Sequence, residues 1–275
     1  MDKLQKRLRI PRVLLYLLLS VISIVFLIPF FYALYTSFLP LQYVDRIVSF
    51  DKFTINNYVT LFTKFKVGRW YWNTFIMTLI TVTGNVILDT MAGYALAKFR
   101  FRGRNIIFII VLASMMVPFQ LIITPMYIMI AKINWHNTMM GLTIPFLYSP
   151  IYIFMARQFF ITIPKELEEA ATIDGLSKAK TFFKIILPIS GSIIASIVIL
   201  NFTTTWNAYL VPSTFVTDRD KYVLVVGLRT VNDAHFARPN LIMAGVILTT
   251  LPVLLLFLRF QKYFVQGIAT SGLKA

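Results

Sequence analysis

The sequence predicts an all-α membrane protein, and three observations support this fold class. Of the 275 residues, 58% are hydrophobic and 14% are charged, whereas about a quarter of the residues in a soluble domain are charged. The mean hydropathy is +0.74. The apolar residues form long runs, and about 20 such residues suffice for a helix that crosses a bilayer. A strand of a membrane β-barrel would instead need about 10 residues of alternating character.

Six apolar segments are long enough to span the membrane, and we assign them to one transmembrane domain that covers residues 1–275. In chain order, the segments are residues 13–38, 72–97, 106–131, 139–155, 185–210 and 241–264. The first segment follows a basic stretch, but it exceeds the apolar run of a signal peptide and no small-residue cleavage site follows, so we interpret it as a retained helix. Prolines predict kinks in segments three to six. These prolines are Pro118, Pro125, Pro145, Pro150, Pro188 and Pro252.

The distribution of lysine and arginine predicts that both termini are cytoplasmic. With the N-terminus inside, 17 of the 27 basic residues fall on the inner side and 10 on the outer side. Most of the outer ones are spread over two longer loops, 39–71 and 211–240, where charges count less for orientation. The net charge of +16 comes from short clusters beside the apolar segments. It therefore indicates contact with anionic membrane lipid and not with nucleic acid.

A polar stretch, residues 164–184, separates the fourth and fifth apolar segments on the predicted cytoplasmic side. Pro164 suits the first position of a helix, and three glutamates follow, where the helix dipole favours negative charge. Gly175 can adopt a positive φ and end this helix, and Ser177 can cap a second one. The first half is acidic and rich in alanine, which fits a protein socket better than an anionic lipid surface. The stretch is therefore predicted to be a helix–turn–helix that docks onto a soluble partner.

The sequence shows no arrangement of residues that indicates an enzyme active site, a cofactor site or a metal site. It contains no Gly-x-x-x-x-Gly-Lys-Ser/Thr loop, and loops of about 30 residues are too short for a nucleotide-binding domain. Cysteine is absent, so neither a disulfide nor a thiolate metal site can form. His136 and His235 are isolated in predicted outer loops. We expect no catalytic residues, no metal site and no cofactor in this chain.

The polar stretch resembles the cytoplasmic signature of the inner-membrane permeases of binding-protein-dependent ABC importers. The signature is matched by Glu169, Ala170 and Ala171, by Gly175 after three further residues, by Ile185 after nine more, and by Leu187 and Pro188. The resemblance also covers residues 92–103, 164–171, 206–207 and 261–267. It is greatest for the sugar-importing branch, and within it for the six-helix permease of maltose-type systems.

This resemblance implies a function and a set of partners. A permease of this family pairs with a second permease and imports a carbohydrate by alternating access. An external solute-binding protein delivers the sugar, and two cytoplasmic ATPases, which bind ATP and magnesium, drive the cycle. The resemblance also implies the inner membrane of a bacterial or archaeal cell. The ATPase-coupling residues that it implies are Glu168, Glu169, Ala170, Ala171, Asp174, Gly175, Leu187 and Pro188.

Polar residues inside the apolar segments are candidates for a substrate path. Asp89 is one, because a carboxylate in the membrane costs roughly 2.5 kcal/mol or more and is often functional. The interpretation that we favour is a helix–helix hydrogen bond or a protonated packing residue beside Asn85. The fifth segment contains Asn201, Thr204, Trp206 and Asn207. These side chains suit a sugar, but they also suit interhelical hydrogen bonds with Trp206 at the outer membrane boundary.

Three alternative functions remain open at this stage. Glycerol-phosphate importers have similar permeases, and the outer loops hold ten basic against five acidic residues, which is compatible with an anionic solute. A proton-coupled secondary carrier would use Asp89 as its proton site, but such carriers usually show an internal repeat and matching broken helices, which we do not find. A membrane-embedded enzyme would need paired acids or a histidine cluster.

Overall fold

The computed structural model describes residues 12–232 and 237–272, with side chains described for 13–232 and 237–261. This part of the chain is helical and contains no β-strand, so the predicted all-α class is confirmed. His235 and the basic residues before Arg12 lie outside the described residues. The chain forms two compact units. One contains the described residues up to Phe65 and those between Val231 and Leu248; the other contains Lys66–Thr230 and the described residues from Thr249 onward.

The helices are named here in chain order. They are α1 (Arg12–Ser37), α2 (Asn56–Thr63), α3 (Val67–Lys98), α4 (Arg104–Ser114), α5 (Phe119–Lys132), α6 (Met139–Thr143), α7 (Pro150–Ile161), α8 (Glu166–Ile173), α9 (Lys178–Thr181), α10 (Leu187–Ile189), α11 (Gly191–Trp206), α12 (Leu210–Phe215), α13 (Leu224–Arg229) and α14 (Pro239–Gly272). Short 3₁₀ turns lie at Leu41–Tyr43, Phe50–Lys52, Ile144–Phe146 and Arg219–Lys221, and a π-helical turn, Phe182–Ile186, joins α9 to α10.

Four stretches of the described chain are long and apolar enough to cross a membrane as they stand. They are α1, α3, Met139–Ile161 and the part of α14 up to Gln261. Two helix pairs reach this length only across a bend: α4 and α5 meet at 100°, and Lys178–Ile189 meets α11 at 80°. A count of six spans therefore requires each bent pair to be one span.

The bends lie at or beside prolines for which the sequence predicted kinks in segments three and five. Segment three breaks between Ser114 and Phe119 because Pro118 has no N–H, and because the residue before a proline disfavours helical backbone. Segment five does not begin as one helix at residue 185. It bends at Ser190, two residues after Pro188, and the π-helical turn just before it already departs from regular α-helical hydrogen bonding.

In the first unit, a buried asparagine connects three helices by hydrogen bonds. Asn57, on α2, donates through Nδ2 to the carbonyl oxygens of Ser37 and Leu39, each at 2.8 Å. These carbonyls lie at and just beyond the end of α1, where a helix leaves acceptors unpaired. Asn57 Oδ1 in turn accepts from Asn240 Nδ2 at 2.8 Å. The end of α1, the start of α2 and the first turn of α14 are thereby held together.

The second unit is built around α3, which packs mainly against α7 and α11. Gly93 allows the closest approach, since a Cβ atom there would lie 2.6 Å from Ala156 Cβ and 2.9 Å from the Arg157 nitrogen. Small residues at such crossings let membrane helices pack backbone to backbone. Beyond this crossing, toward the C-terminal ends of α3 and α7, an apolar cluster that includes Tyr94, Phe160 and Phe182 joins these helices to the π-helical turn.

Candidate functional site

The predicted helix–turn–helix is present, and its turn has the geometry that requires glycine. Helix α8 begins at Glu166, two residues later than predicted from Pro164. At its end the Leu176 nitrogen bonds to the Ala171 oxygen at 2.9 Å, and the Gly175 nitrogen bonds to the Thr172 oxygen at 3.0 Å. This pair of bonds is a Schellman motif, and Gly175 has the positive φ, 75°, that the motif needs. The turn is thus held in a single geometry.

One face of α8 is anchored to the rest of the unit. Ala171 is buried, and Glu168 is partly buried beside Lys98 at the end of α3. The Lys98 Nζ and Glu168 Oε1 atoms are 3.4 Å apart, an ion pair without hydrogen-bond alignment, since Oε1 has no hydrogen-bond partner. Lys98 Nζ also donates to the Ile163 carbonyl at 2.5 Å. The sequence did not predict this contact, because Lys98 was interpreted only as a basic residue beside a membrane span.

The opposite face of α8 is exposed. Four of the predicted coupling residues lie on it or in the turn, namely Glu169, Ala170, Asp174 and Gly175. Ile173 lies among them and is 86% exposed, which is unusual for an isoleucine outside the apolar spans. The predicted set is therefore divided: Glu168 and Ala171 face inward, Leu187 packs partly against the apolar cluster, and Pro188 is exposed.

A hydrogen-bonded chain of polar side chains crosses the second unit. The Thr205 hydroxyl donates to Asn201 Oδ1 at 2.9 Å, Asn201 Nδ2 donates to Asn85 Oδ1 at 2.7 Å, and Asn85 Nδ2 donates to Asp89 Oδ2 at 2.9 Å. Both Asp89 oxygens also accept from the Ser149 nitrogen, at 3.0 and 3.1 Å. Asp89 thus makes the helix–helix hydrogen bond favoured from the sequence, since Ser149 directly precedes α7.

A cavity of about 230 Å³ lies beside this chain. Three of the predicted substrate-path residues, Asn85, Asn201 and Thr204, line it. The others do not. Trp206 is buried and donates through Nε1 to the Thr249 oxygen at 2.9 Å, and Asn207 donates to the Thr203 oxygen at 2.8 Å. The remaining lining residues are Met77, Thr81, Leu142, Phe146, Tyr148, Ser149, Tyr152, Thr205, Ala208, Val211 and Pro212.

The loops outside the predicted spans are held by ion pairs and side-chain amides. Asp220 pairs with Lys66 and lies 3.5 Å from Arg69 Nη1, and Asn73 donates to the Asp220 and Tyr222 oxygens, each at 3.0 Å. The Lys66 hydrogen bond lowers the pKa of the Asp220 carboxyl below its usual value. Within the described residues, no three acidic, histidine or cysteine side chains cluster as a metal site would require.

The chain belongs to the family of inner-membrane components of binding-protein-dependent transport systems, which residues 89–270 match. It is therefore a multi-pass membrane permease of the ABC-importer class, and the resemblance found in the sequence is confirmed. Membership in this family favours the importer over the secondary-carrier and membrane-enzyme alternatives.

Among characterised relatives, the chain is similar to arabinooligosaccharides transport system permease protein AraQ. The AraQ of Bacillus subtilis is 30% identical over 274 residues, 96% of each chain, and that of Halalkalibacterium halodurans is 33% identical over 222 residues, 80% of each. The sn-glycerol-3-phosphate transport system permease protein UgpE of Pectobacterium atrosepticum is 35% identical over 201 residues, 72% of each.

A solved structure has the same fold. It is the crystal structure of a bacterial ABC transporter involved in the import of the acidic polysaccharide alginate. The TM-score is 0.82 at 22% sequence identity, with 93% of this chain and 97% of that chain covered. At this identity the likeness shows the fold of the permease and not its solute.

Proposed function

We propose that this chain is the permease subunit of an ATP-driven importer that carries a carbohydrate delivered by an external solute-binding protein. A second permease completes the pore, and two cytoplasmic ATPases supply the energy. The family and the AraQ relatives, which cover most of the chain at 30–33% identity, support this assignment. ATP and magnesium are bound by the ATPases in this proposal, and this chain binds no cofactor of its own.

The observation that carries the proposal is the exposed face of α8. Ile173 offers apolar contact area, Glu169 lies one turn before it on the same face, and Asp174 adds a negative charge in the turn that follows. A face of this kind suits a protein cleft with an apolar floor and a basic rim. The opposite face of the helix is fixed by Ala171 and by the Lys98–Glu168 pair. A partner that moves α8 therefore moves the end of α3 with it.

The topology that we propose has six spans and both termini in the cytoplasm. It counts each bent pair, α4 with α5 and Lys178–Ile189 with α11, as one span. The excess of basic residues on the side of the N-terminus supports the orientation. In this arrangement α8 is cytoplasmic, where an ATPase can reach it.

A glycerol-phosphate importer is the second candidate, and the relationship to UgpE favours it. UgpE has slightly higher identity than AraQ, but over a shorter part of the chain. The two candidates share the fold, the partners and the coupling surface, and they differ only in the solute.

Co-purification of the tagged chain from detergent tests the proposal. We expect the complete complex to contain an ATPase pair and a second permease. Glu169→Lys reverses a charge on the exposed face of α8 and should release the ATPases. Asp51→Lys reverses a charge on the predicted outer side, where, among the described residues, Asp51 forms its ion pair with the adjacent Lys52; this variant should retain the ATPases. A wild-type chain that purifies without any ATPase refutes the proposed function.

A further inference from the structure

Two basic side chains cross between the ends of α3 and α7 in opposite directions. From α7, Arg157 Nε donates to the Leu96 carbonyl oxygen, in the last turn of α3, at 3.3 Å. From the end of α3, Lys98 Nζ donates to the Ile163 carbonyl oxygen, two residues beyond the end of α7. Carbonyls at a helix end lack partners within the helix, and positive charge is favoured there. Each helix thus caps the other, and we call this pair of bonds the cross-cap.

An aromatic ring holds the Arg157 guanidinium on its other side. Its Cζ atom lies 3.8 Å from the centroid of the Phe108 ring on α4, within the roughly 6 Å of a cation–π contact. Phe108 stacks in turn on Phe154, one turn before Arg157 on α7, with the ring centroids 6.3 Å apart. An arginine on a ring presents its N–H groups in a fixed plane. The direction of the bond to Leu96 is therefore set by the packing of α4 against α7.

The cross-cap lies beyond the closest contact between α3 and α7. That contact is at Gly93, where a Cβ atom would lie 2.9 Å from the Arg157 nitrogen. A single point of contact lets two helices rotate against each other, whereas a bond away from that point fixes the angle between them. Leu96 is three residues, or about 4.5 Å along the helix axis, from Gly93. The cross-cap therefore keeps the C-terminal ends of the two helices from separating.

Both of the joined ends lead to the helix–turn–helix. Helix α7 continues into α8 through the short linker 162–165. Helix α3 reaches α8 through Lys98, whose side chain is 5% exposed and pairs with Glu168. It also reaches α9, because Lys178 Nζ lies 4.8 Å from the centroid of the Phe99 ring. A displacement of α8 is thus passed to α7 through the chain and to α3 through side chains.

We propose that Arg157 is a positioning residue for transport: through the cross-cap it keeps the ends of α3 and α7 together, so that a displacement of α8 moves both helices as one body. The proposal rests on the proposed importer function. Arg157 does not line the cavity, so it acts through the two helices and not through the solute. Without its bond to Leu96, α8 can move α7 while α3 stays behind, and part of the ATP is then hydrolysed without transport.

The chain offers a conservative variant and a matched control. Arg157→Met removes the bond to Leu96 and the cation over Phe108, and keeps a long unbranched side chain. Arg157→Lys keeps a positive charge that can donate to the same carbonyl. The control is Arg104→Met, because Arg104 Nη1 donates to the Phe99 carbonyl at 3.4 Å. That bond joins α4 to the end of α3 and does not connect α3 with α7.

The first measurement is the distance between the ends of α3 and α7, by electron–electron double resonance on the complete complex. Spin labels are placed at Arg100→Cys and Gln158→Cys, two exposed positions in a chain without cysteine, with cysteine-free partner subunits. We expect the same narrow distance distribution in the wild type without nucleotide and after trapping with ATP and vanadate. In Arg157→Met the distribution should broaden or shift on trapping only. A loss of fold stability alone would broaden it in both states.

The second measurement is solute uptake per ATP hydrolysed, in proteoliposomes with loaded binding protein. The solute is arabinotriose or sn-glycerol-3-phosphate, whichever the wild-type complex imports. We expect Arg157→Met to lower this ratio several-fold, Arg157→Lys to recover most of it, and Arg104→Met to leave it unchanged. A residue that only stabilises the fold would reduce the amount of active complex without changing the ratio.

Three results overturn the proposal: the wild-type distance changes on trapping, Arg157→Met gives the wild-type distances in both states, or Arg104→Met lowers the uptake ratio as much as Arg157→Met does. The first of these needs no variant of Arg157, so it decides even where Arg157→Met does not assemble. A complex that retains its ATPases and gives any of these results refutes the positioning role alone. A chain that recovers no ATPase refutes the proposed function.

Discussion

Replacement of Gly175 tests whether the turn after α8 couples ATP hydrolysis to transport. Gly175 has φ 75°, and a Cβ atom there meets nothing within 4 Å, so valine is opposed by backbone conformation and not by a clash. A β-branched residue in this region costs about 1–2 kcal/mol, which shifts the balance between this turn and other geometries by about 5- to 30-fold. Gly175→Val should therefore loosen the turn while the protein still inserts into the membrane.

Gly103 provides the control for this change. It precedes α4, has φ 85°, and also has open space around a Cβ position, so Gly103→Val has a similar backbone cost at a distance from α8 in sequence. Gly175→Asn is a second control, because asparagine tolerates positive φ better than valine.

The assay compares ATP hydrolysis with solute uptake in proteoliposomes that contain the complete complex and loaded binding protein. We expect Gly175→Val to lower solute taken up per ATP hydrolysed several-fold, and Gly103→Val to leave this ratio unchanged. Normal uptake per ATP in Gly175→Val would refute the role of the turn, as would equal losses in the two valine variants.

Three further predictions concern charged residues. Lys98→Met leaves Glu168 partly buried without its cation, and we expect the protein to lose about 2–4 kcal/mol of stability and to retain the ATPases less well. The double variant Lys98→Glu with Glu168→Lys should restore part of the stability and part of the ATPase retention. If it restores neither, the pairing of Lys98 with Glu168 is refuted. Asp89→Asn keeps an acceptor for the Ser149 nitrogen, so ATP-driven uptake should keep its pH profile; a changed profile would indicate proton coupling. Because the pKa of Asp220 is lowered in the folded state, this carboxylate stabilises the protein above the unfolded pKa of about 3.9 and loses this effect as the pH falls through the lowered value. Asp220→Asn should thus reduce the decrease in melting temperature below about pH 4, and an unchanged acid-side curve would contradict the assignment.

The fold class and the local structure of the polar stretch were predictable because both depend on short-range sequence. A long apolar run forms a helix whatever surrounds it, and Gly175 ends α8 through bonds to Thr172 and Ala171, only a few residues away. The bends at Pro118 and Ser190 were harder to predict from the sequence. A proline predicts a kink, but the angle of 100° between α4 and α5 depends on what each half packs against.

The contacts that define the two sites could not be read from sequence, because their partners are far apart in the chain. Lys98 meets Glu168 seventy residues later, and Asn201 meets Asn85 across 116 residues. Thr78 and Thr81 are equivalent in sequence terms, yet only Thr81 lines the cavity, since three residues along a helix turn a side chain by about 300°. Which of the two faces the cavity is decided by the packing of α3.

Helix α3 connects the cavity to α8. Thr81 and Asn85 line the cavity in its middle, Gly93 packs closely against α7 below them, and Lys98 at its end holds α8. At about 1.5 Å per residue, the 17 residues from Thr81 to Lys98 span about 25 Å of continuous helix. No proline interrupts α3, so a displacement applied to α8 is transmitted along it without a hinge to absorb it. A displacement of α8 is therefore expected to change the position of the wall of the cavity.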